Sequence, residues 1–129
     1  MFDDVPTENR SWAEEREVGD IQAMHVGVMP LRDEPWERGK CGYKLIQYMA
    51  CRLPVVASPV GVNAEIVEGC GFTADTLDEW RHALLTLRDD ARLRAELGAA
   101  GRRKVEEKYT LQVTAPRMVE LLKSVANHK

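Results

Sequence analysis

The amino-acid sequence predicts an α/β fold, in which a small parallel sheet is followed by a helical C-terminal tail. Three observations carry that prediction. Short apolar runs stand near 24–29, 54–58 and 71–74, each separated from the next by a stretch of helical character. The first two runs are mostly apolar, broken only by His25 and Ser58, and do not alternate, as expected of strands buried on both faces of a parallel sheet. Beyond residue 76 the apolar residues recur at helical spacing to the end of the chain.

In order, residues 1–12 are polar, contain Pro6 and show no periodicity. A helix is predicted over about 13–23, where Glu14, Glu15 and Glu17 suit the positive N-terminal end. The run Met24–Pro30 reads as a buried strand ended by proline, and 31–40 as a charged loop. A helix follows at 41–51, then a strand at 54–58, a turn marked by Gly61 and Asn63, and a short helix from Asn63 to Glu68. Gly71–Ala74 forms a third, very short strand. In the tail, Trp80, Ala83, Leu84 and Leu87 share one face, and Leu93, Leu97 and Ala100 another. Met118, Leu121, Leu122 and Val125 are expected as the buried stripe of a last helix, with Pro116 near its first turn. Three short strands and a helical tail make half of a doubly wound sheet, a partial Rossmann-like unit, so the sequence reads as a fragment of a larger fold. With that other half absent, the strand near 24–29 would be an open edge, which tends to pair or be covered, and a homodimer or domain-swapped assembly is expected.

Composition narrows the function classes. The 129 residues fit one domain, and a net charge of −3 with pI near 5.6 argues against a nucleic-acid partner. No apolar run reaches the roughly 18–20 residues that cross a bilayer. The start, MFDDVPTENR, lacks the basic and apolar regions of a signal peptide, which makes a cytoplasmic location the default. Cys41, Cys51 and Cys70 are odd in number and have no metal-binding spacing, so a disulfide framework and a zinc site are not expected. His25, His82 and His128 are scattered, and no nucleophile elbow or P-loop occurs. Trp12 and Trp36 are candidates for a cleft wall, whereas Trp80 begins an apolar stripe. Glu106 and Glu107 follow the basic run at 102–104, which therefore reads as a solvated helix face.

The chemistry is concentrated in Trp36–Ala50. Arg38, Lys40 and Lys44 crowd the start of a helix, whose unbonded N–H groups and dipole already favour an anion. Gly39 and Gly42 remove side chains where a ligand could approach the backbone. Lys44 and Gln47, three residues apart, share a helix face that could offer an ammonium to a diphosphate and an amide to a sugar hydroxyl. On spacing alone, a phosphate site and a set of ordinary solvated charges fit equally well.

The run Gly42–Val60, GYKLIQYMACRLPVVASPV, resembles the donor-site segment of glycosyltransferase family 4, also called group 1. The likeness continues through Gly61–Val67, Asp78–Trp80 and Gly101–Tyr109, and covers roughly residues 12–125. The resemblance implies the C-terminal, donor-binding part of a two-domain GT-B enzyme. Such an enzyme transfers a hexose from a UDP- or GDP-sugar to a glycan or lipid-linked acceptor, with retention of configuration and without an obligatory metal or cofactor. It implies that Lys44 and the Gly42 backbone contact the diphosphate and that Gln47 meets the ribose; Arg38 and Lys40 join the phosphate-binding candidates on charge and position alone. A missing N-terminal acceptor domain is the implied partner, with possible peripheral attachment of the full-length enzyme to the inner membrane. The chain also departs from the family pattern. Gly39 and Gln47 stand where many relatives carry two glutamates, His25 replaces a common aspartate, and the turn between Val67 and Phe72 is shortened. Arg52 takes the place of a usual glycine, which a left-handed helix end would disfavour.

Three readings follow. The first is a donor domain of a longer enzyme, with the isolated chain inactive. The second is a non-catalytic sugar-nucleotide-binding or assembly module. The third is another Rossmann-like protein, such as an epimerase of related architecture, which would need acid/base residues in the cleft that the sequence does not place.

Overall fold

The computed structural model describes residues 5–127. Its elements are α1 (Glu14–Gln22), β1 (Gly27–Met29), α2 (Pro35–Arg38), α3 (Tyr43–Ala50), β2 (Val55–Ala57), α4 (Asn63–Val67), β3 (Gly71–Thr73), α5 (Leu77–Asp89), α6 (Ala91–Lys108) and α7 (Leu111–Ala126). The three strands form one parallel sheet in the order β1-β2-β3, with Gly27 opposite Val55 and Val55 opposite Gly71. This matches the expected fold class, but only β2 is buried on both faces: β1 buries Gly27 and Met29 and exposes Val28, because no helix covers that side of the edge strand.

Successive residues of β2 point to opposite faces, and both faces are covered. Val55 and Ala57 join Leu45, Met49, Ile66, Val67 and Val105 under α3, α4 and α6. Val56 joins Ala74, Ala83 and Leu87 under α5. The result is a three-layer sandwich in which each fully buried Val or Leu contributes about 1.5–3 kcal/mol relative to exposure. Local signals reinforce it. Thr76 and Glu79 form a reciprocal capping box at the start of α5, and Asp90 caps α6 through the Leu93 amide. The two backbone N–H groups that donate to Glu79, from Thr76 and Asp75, hold its carboxyl below the ordinary glutamate value.

Several expectations are corrected. The segment 31–40 contains the short helix α2, begun by Pro35 at a position where proline's missing N–H costs nothing. Leu84 is exposed, while Ala83 and Leu87 carry the buried face of α5. Met118, Leu121, Leu122 and Val125 are not a buried stripe: α7 leans on α6 and has no buried residue, so the four share an apolar face that nothing in the described chain covers. Pro116 is the sixth residue of α7, inside the helix and beyond the first turn, and cannot donate to the Gln112 carbonyl.

Candidate functional site

Open α/β sheets bind ligands at the carboxyl ends of their strands. The chain leaves β1 at Met29-Pro30-Leu31, and the Leu31 amide donates to the Ser58 hydroxyl at the end of β2 (3.0 Å). Asn63, wholly buried, donates through Nδ2 to the Ser58 carbonyl (3.2 Å), so the turns after β1 and β2 are tied together. Beside them lies a cleft of about 570 Å³ lined by Met29, Pro30, Leu31, Lys40, Gly42 and Lys44, among others.

The helix that opens onto this cleft is α3. Gly42 holds φ 66°, a left-handed conformation suited to glycine, and no side chain caps the helix. The first amide to reach back to the Gly42 carbonyl is that of Leu45 (2.9 Å), so the earlier N–H groups of the turn remain for solvent or a ligand. Lys44 makes no hydrogen bond or ion pair among the described residues. Lys40 stands 3.9 Å from a Glu37 carboxylate oxygen and keeps an exposed ammonium. Two basic groups and a helix N-terminus therefore meet at one cleft, a combination suited to an anion.

The structure places the remaining sequence-predicted residues differently. Arg38 does not line the cleft. Its guanidinium grips Asp33 through two hydrogen bonds of 2.7 and 3.1 Å, which hold the Asp33 carboxyl below its ordinary value and raise Arg38 above its own. Gly39 lines the cleft with an ordinary φ of −78°, and an added side chain there would meet nothing closer than the Trp36 carbonyl at 3.4 Å. The missing side chain of Gly42 leaves room for Ile66, not for a ligand; only its backbone faces the cleft. Trp36 is exposed and lines neither cleft. His25 and His82 are exposed, and His128 lies outside the described residues.

A second cleft, of about 580 Å³, lies between α3 and α1, and Lys44 and Tyr48 line both. Burial raises the Tyr48 phenol above its ordinary value. On the α1 side stand Trp12 and Glu17. One Glu17 oxygen, Oε1, accepts from Trp12 Nε1 (3.3 Å) and from Gln47 Nε2 (3.2 Å). Sequence reasoning assigned Glu17 only to the helix dipole. Its link to Gln47 spans 30 positions, and no local pattern signals it.

A Rossmann-like α/β unit with an anion-suited cleft at its strand ends is the class of protein that this fold and site define. The chain belongs to the group 1 glycosyl transferases, whose family model matches residues 15–90, more than half of its length. It is 31% identical over 86 residues to the GDP-mannose-dependent monoacylated alpha-(1-6)-phosphatidylinositol monomannoside mannosyltransferase of Corynebacterium glutamicum, covering 64% of this chain and 23% of the relative. It is 30% identical over 104 residues to a probable sucrose-phosphate synthase of Thermosipho melanesiensis, covering 78% of this chain and 23% of the relative. Among solved structures, the sucrose-phosphate synthase from Thermosynechococcus elongatus superposes with a TM-score of 0.76 at 26% identity, over 85% of this chain and 27% of that one. The chain thus spans about a quarter of the length of the relatives it matches. The expected C-terminal GT-B architecture agrees with both the sheet and this likeness.

Among the described residues, no helix is long and apolar enough to cross a membrane.

Proposed function

We propose that this chain is the nucleotide-sugar-binding part of a hexose-transferring, retaining glycosyltransferase, and that the cleft between β1 and α3 takes the donor's diphosphate. The observation that carries the reading is the convergence of Lys44, Lys40 and the uncapped first turn of α3 on one cleft. In a transfer reaction the sugar leaves a diphosphate that gains negative charge. An ammonium and oriented N–H groups fixed beforehand stabilise that charge as an oxyanion hole does. The Corynebacterium relative is named for a GDP-mannose donor, and the sucrose-phosphate synthases for a hexose-containing product. The acceptor side and any residues it contributes belong to the remaining length of such enzymes, so binding without turnover is the expected behaviour of the isolated chain. A UDP- or GDP-sugar is its expected ligand.

The absence of carboxylates at Gly39 and Gln47 supports a second reading, a binding module without turnover. Adding the complete acceptor half distinguishes the two, because only the first gains hexosyl transfer.

Ligand-observed NMR with UDP and GDP tests the shared claim. Saturable binding is expected for at least one nucleotide, and Lys44→Ala should weaken it about tenfold, the scale of one charge-assisted hydrogen bond. Equal binding by wild type and variant would remove Lys44 from the site.

A further inference from the structure

Lys44 is shared by two clefts, and the donor reading uses only one of them. A nucleotide whose diphosphate sits at Lys44 has to place its nucleoside somewhere adjacent. The cleft along α1 has the volume and the surfaces for it. The Trp12 indole is 72% exposed, giving a broad aromatic face on which a base can stack. The edge of that indole, through Nε1, holds the Glu17 carboxylate, so a base stacked on the ring brings its own edge toward Glu17. Gln47, one turn beyond Lys44 on α3, spends its Nε2 on Glu17 and keeps its carbonyl oxygen for a hydroxyl.

Charge decides which base fits. Three carboxylates line this cleft, and Arg10 holds two of them: it bonds Glu8 at 2.7 and 3.1 Å and Asp20 at 2.8 Å. Glu17 pairs with no cation among the described residues, and both of its hydrogen bonds fall on Oε1. A carboxylate accepts only, so it selects an edge that donates twice. Guanine presents N1–H and the exocyclic N2–H side by side. Uracil presents one N3–H between two carbonyl oxygens, which a carboxylate repels.

We infer that the α1 cleft is a guanine-reading site, with Glu17 as its specificity-determining residue and Trp12 as its stacking wall. The inference rests on the donor-cleft reading and narrows it to a guanosine diphosphate sugar.

The test is titration of the 129-residue chain with GDP, IDP and UDP, repeated on Glu17→Gln and Glu17→Ala, with circular dichroism to check folding. IDP keeps N1–H and lacks the 2-amino group. GDP should bind about tenfold more tightly than IDP or UDP, since a site built to hydrogen-bond a donor discriminates against the analogue that lacks it. Glu17→Gln keeps an oxygen for Trp12 and Gln47 but removes the charge, and should cut GDP binding toward the IDP level while leaving UDP within about twofold. Equal affinity for GDP and IDP, or an equal loss of all three nucleotides in the variants, would overturn guanine reading and leave the donor cleft standing. No binding of any of the three by the folded chain would overturn both.

Discussion

Arg52 holds φ 62°, the one non-glycine residue at positive φ in the described chain, at the turn between α3 and β2. The left-handed region brings an L-residue's Cβ too close to the next carbonyl oxygen, at a cost of roughly 1–2 kcal/mol, whereas glycine adopts it without strain. The Arg52 side chain is exposed and makes no hydrogen bond or ion pair among the described residues, so little offsets that strain. Arg52→Gly should therefore raise stability by about 1 kcal/mol after allowing for glycine's greater freedom in the unfolded chain. The melting temperature should rise by a few degrees in a thermal unfolding scan. An unchanged or lower value would show that the relieved strain does not exceed the extra freedom that glycine gives the unfolded chain. This strain was foreseeable through the family resemblance, which puts a glycine at this helix end, and φ 62° shows that the end is left-handed. The role of Glu17 was not, since a carboxylate in a first helical turn has a sufficient local explanation in the dipole.

At the scale of elements, the α3–α6 contact depends on glycines that look like defects in the sequence. Gly98 and Gly101 lower the helix propensity of α6. In the structure Gly98 is buried against the Arg52 carbonyl, and an added Cβ would overlap that oxygen. A Cβ added at Gly101 would stand 3.0 Å from the Met49 side chain, tighter than an ordinary contact. The helix comes close enough for Arg102 to donate to the Ala50 carbonyl (2.7 Å) and for Lys104 to reach the Glu65 and Ile66 carbonyls (2.6 and 3.0 Å), joining α6 to the ends of α3 and α4. Gly98→Ala, a favourable change in an isolated helix, should destabilise this chain by about 2–3 kcal/mol because the clash is with backbone, which has little room to give. Urea denaturation measures it, and a neutral result would show that α6 can shift away from α3. The same comparison explains what could be read in advance. The long helices were legible because one-sided burial imposes a period on them, and the strands because they are short continuous apolar runs. The helix α2 has only four residues, too few to show one, although Pro35 was an available signal. Periodicity in α7 correctly grouped its apolar residues on one face but carries no information on whether anything covers that face. Arg38 was drawn into the anion cluster by sequence proximity, yet Asp33, five residues earlier, holds it elsewhere.

For the whole molecule, two kinds of surface are left open among the described residues, the outer edges of the sheet at β1 and β3 and one face of α7. Neither outer edge pairs with a strand among the described residues, and α7 exposes Leu111, Met118, Leu121, Leu122 and Val125. The sequence led to the expectation that two copies pair through the β1 edge. Magnitudes favour the helix. A three-residue edge adds a few backbone hydrogen bonds worth about 1 kcal/mol each, less than the roughly 4–15 kcal/mol that association costs in lost freedom. Five large apolar side chains are worth up to about 10 kcal/mol per copy when fully covered, and a pair of identical faces covers both copies at once. In a solution of this chain the one partner present is a second copy, so self-association through α7 is the expected outcome. Light scattering across a wide concentration range should show the mass rising from one chain toward two. Leu121→Glu combined with Leu122→Glu should return it to one chain while changing stability by no more than about 0.5 kcal/mol, because both residues are exposed at 59% and 62%. A dimer that survives the double variant would assign the pairing to an edge of the sheet, at β1 or β3. A mass of one chain at every concentration would show that association costs exceed what either surface supplies.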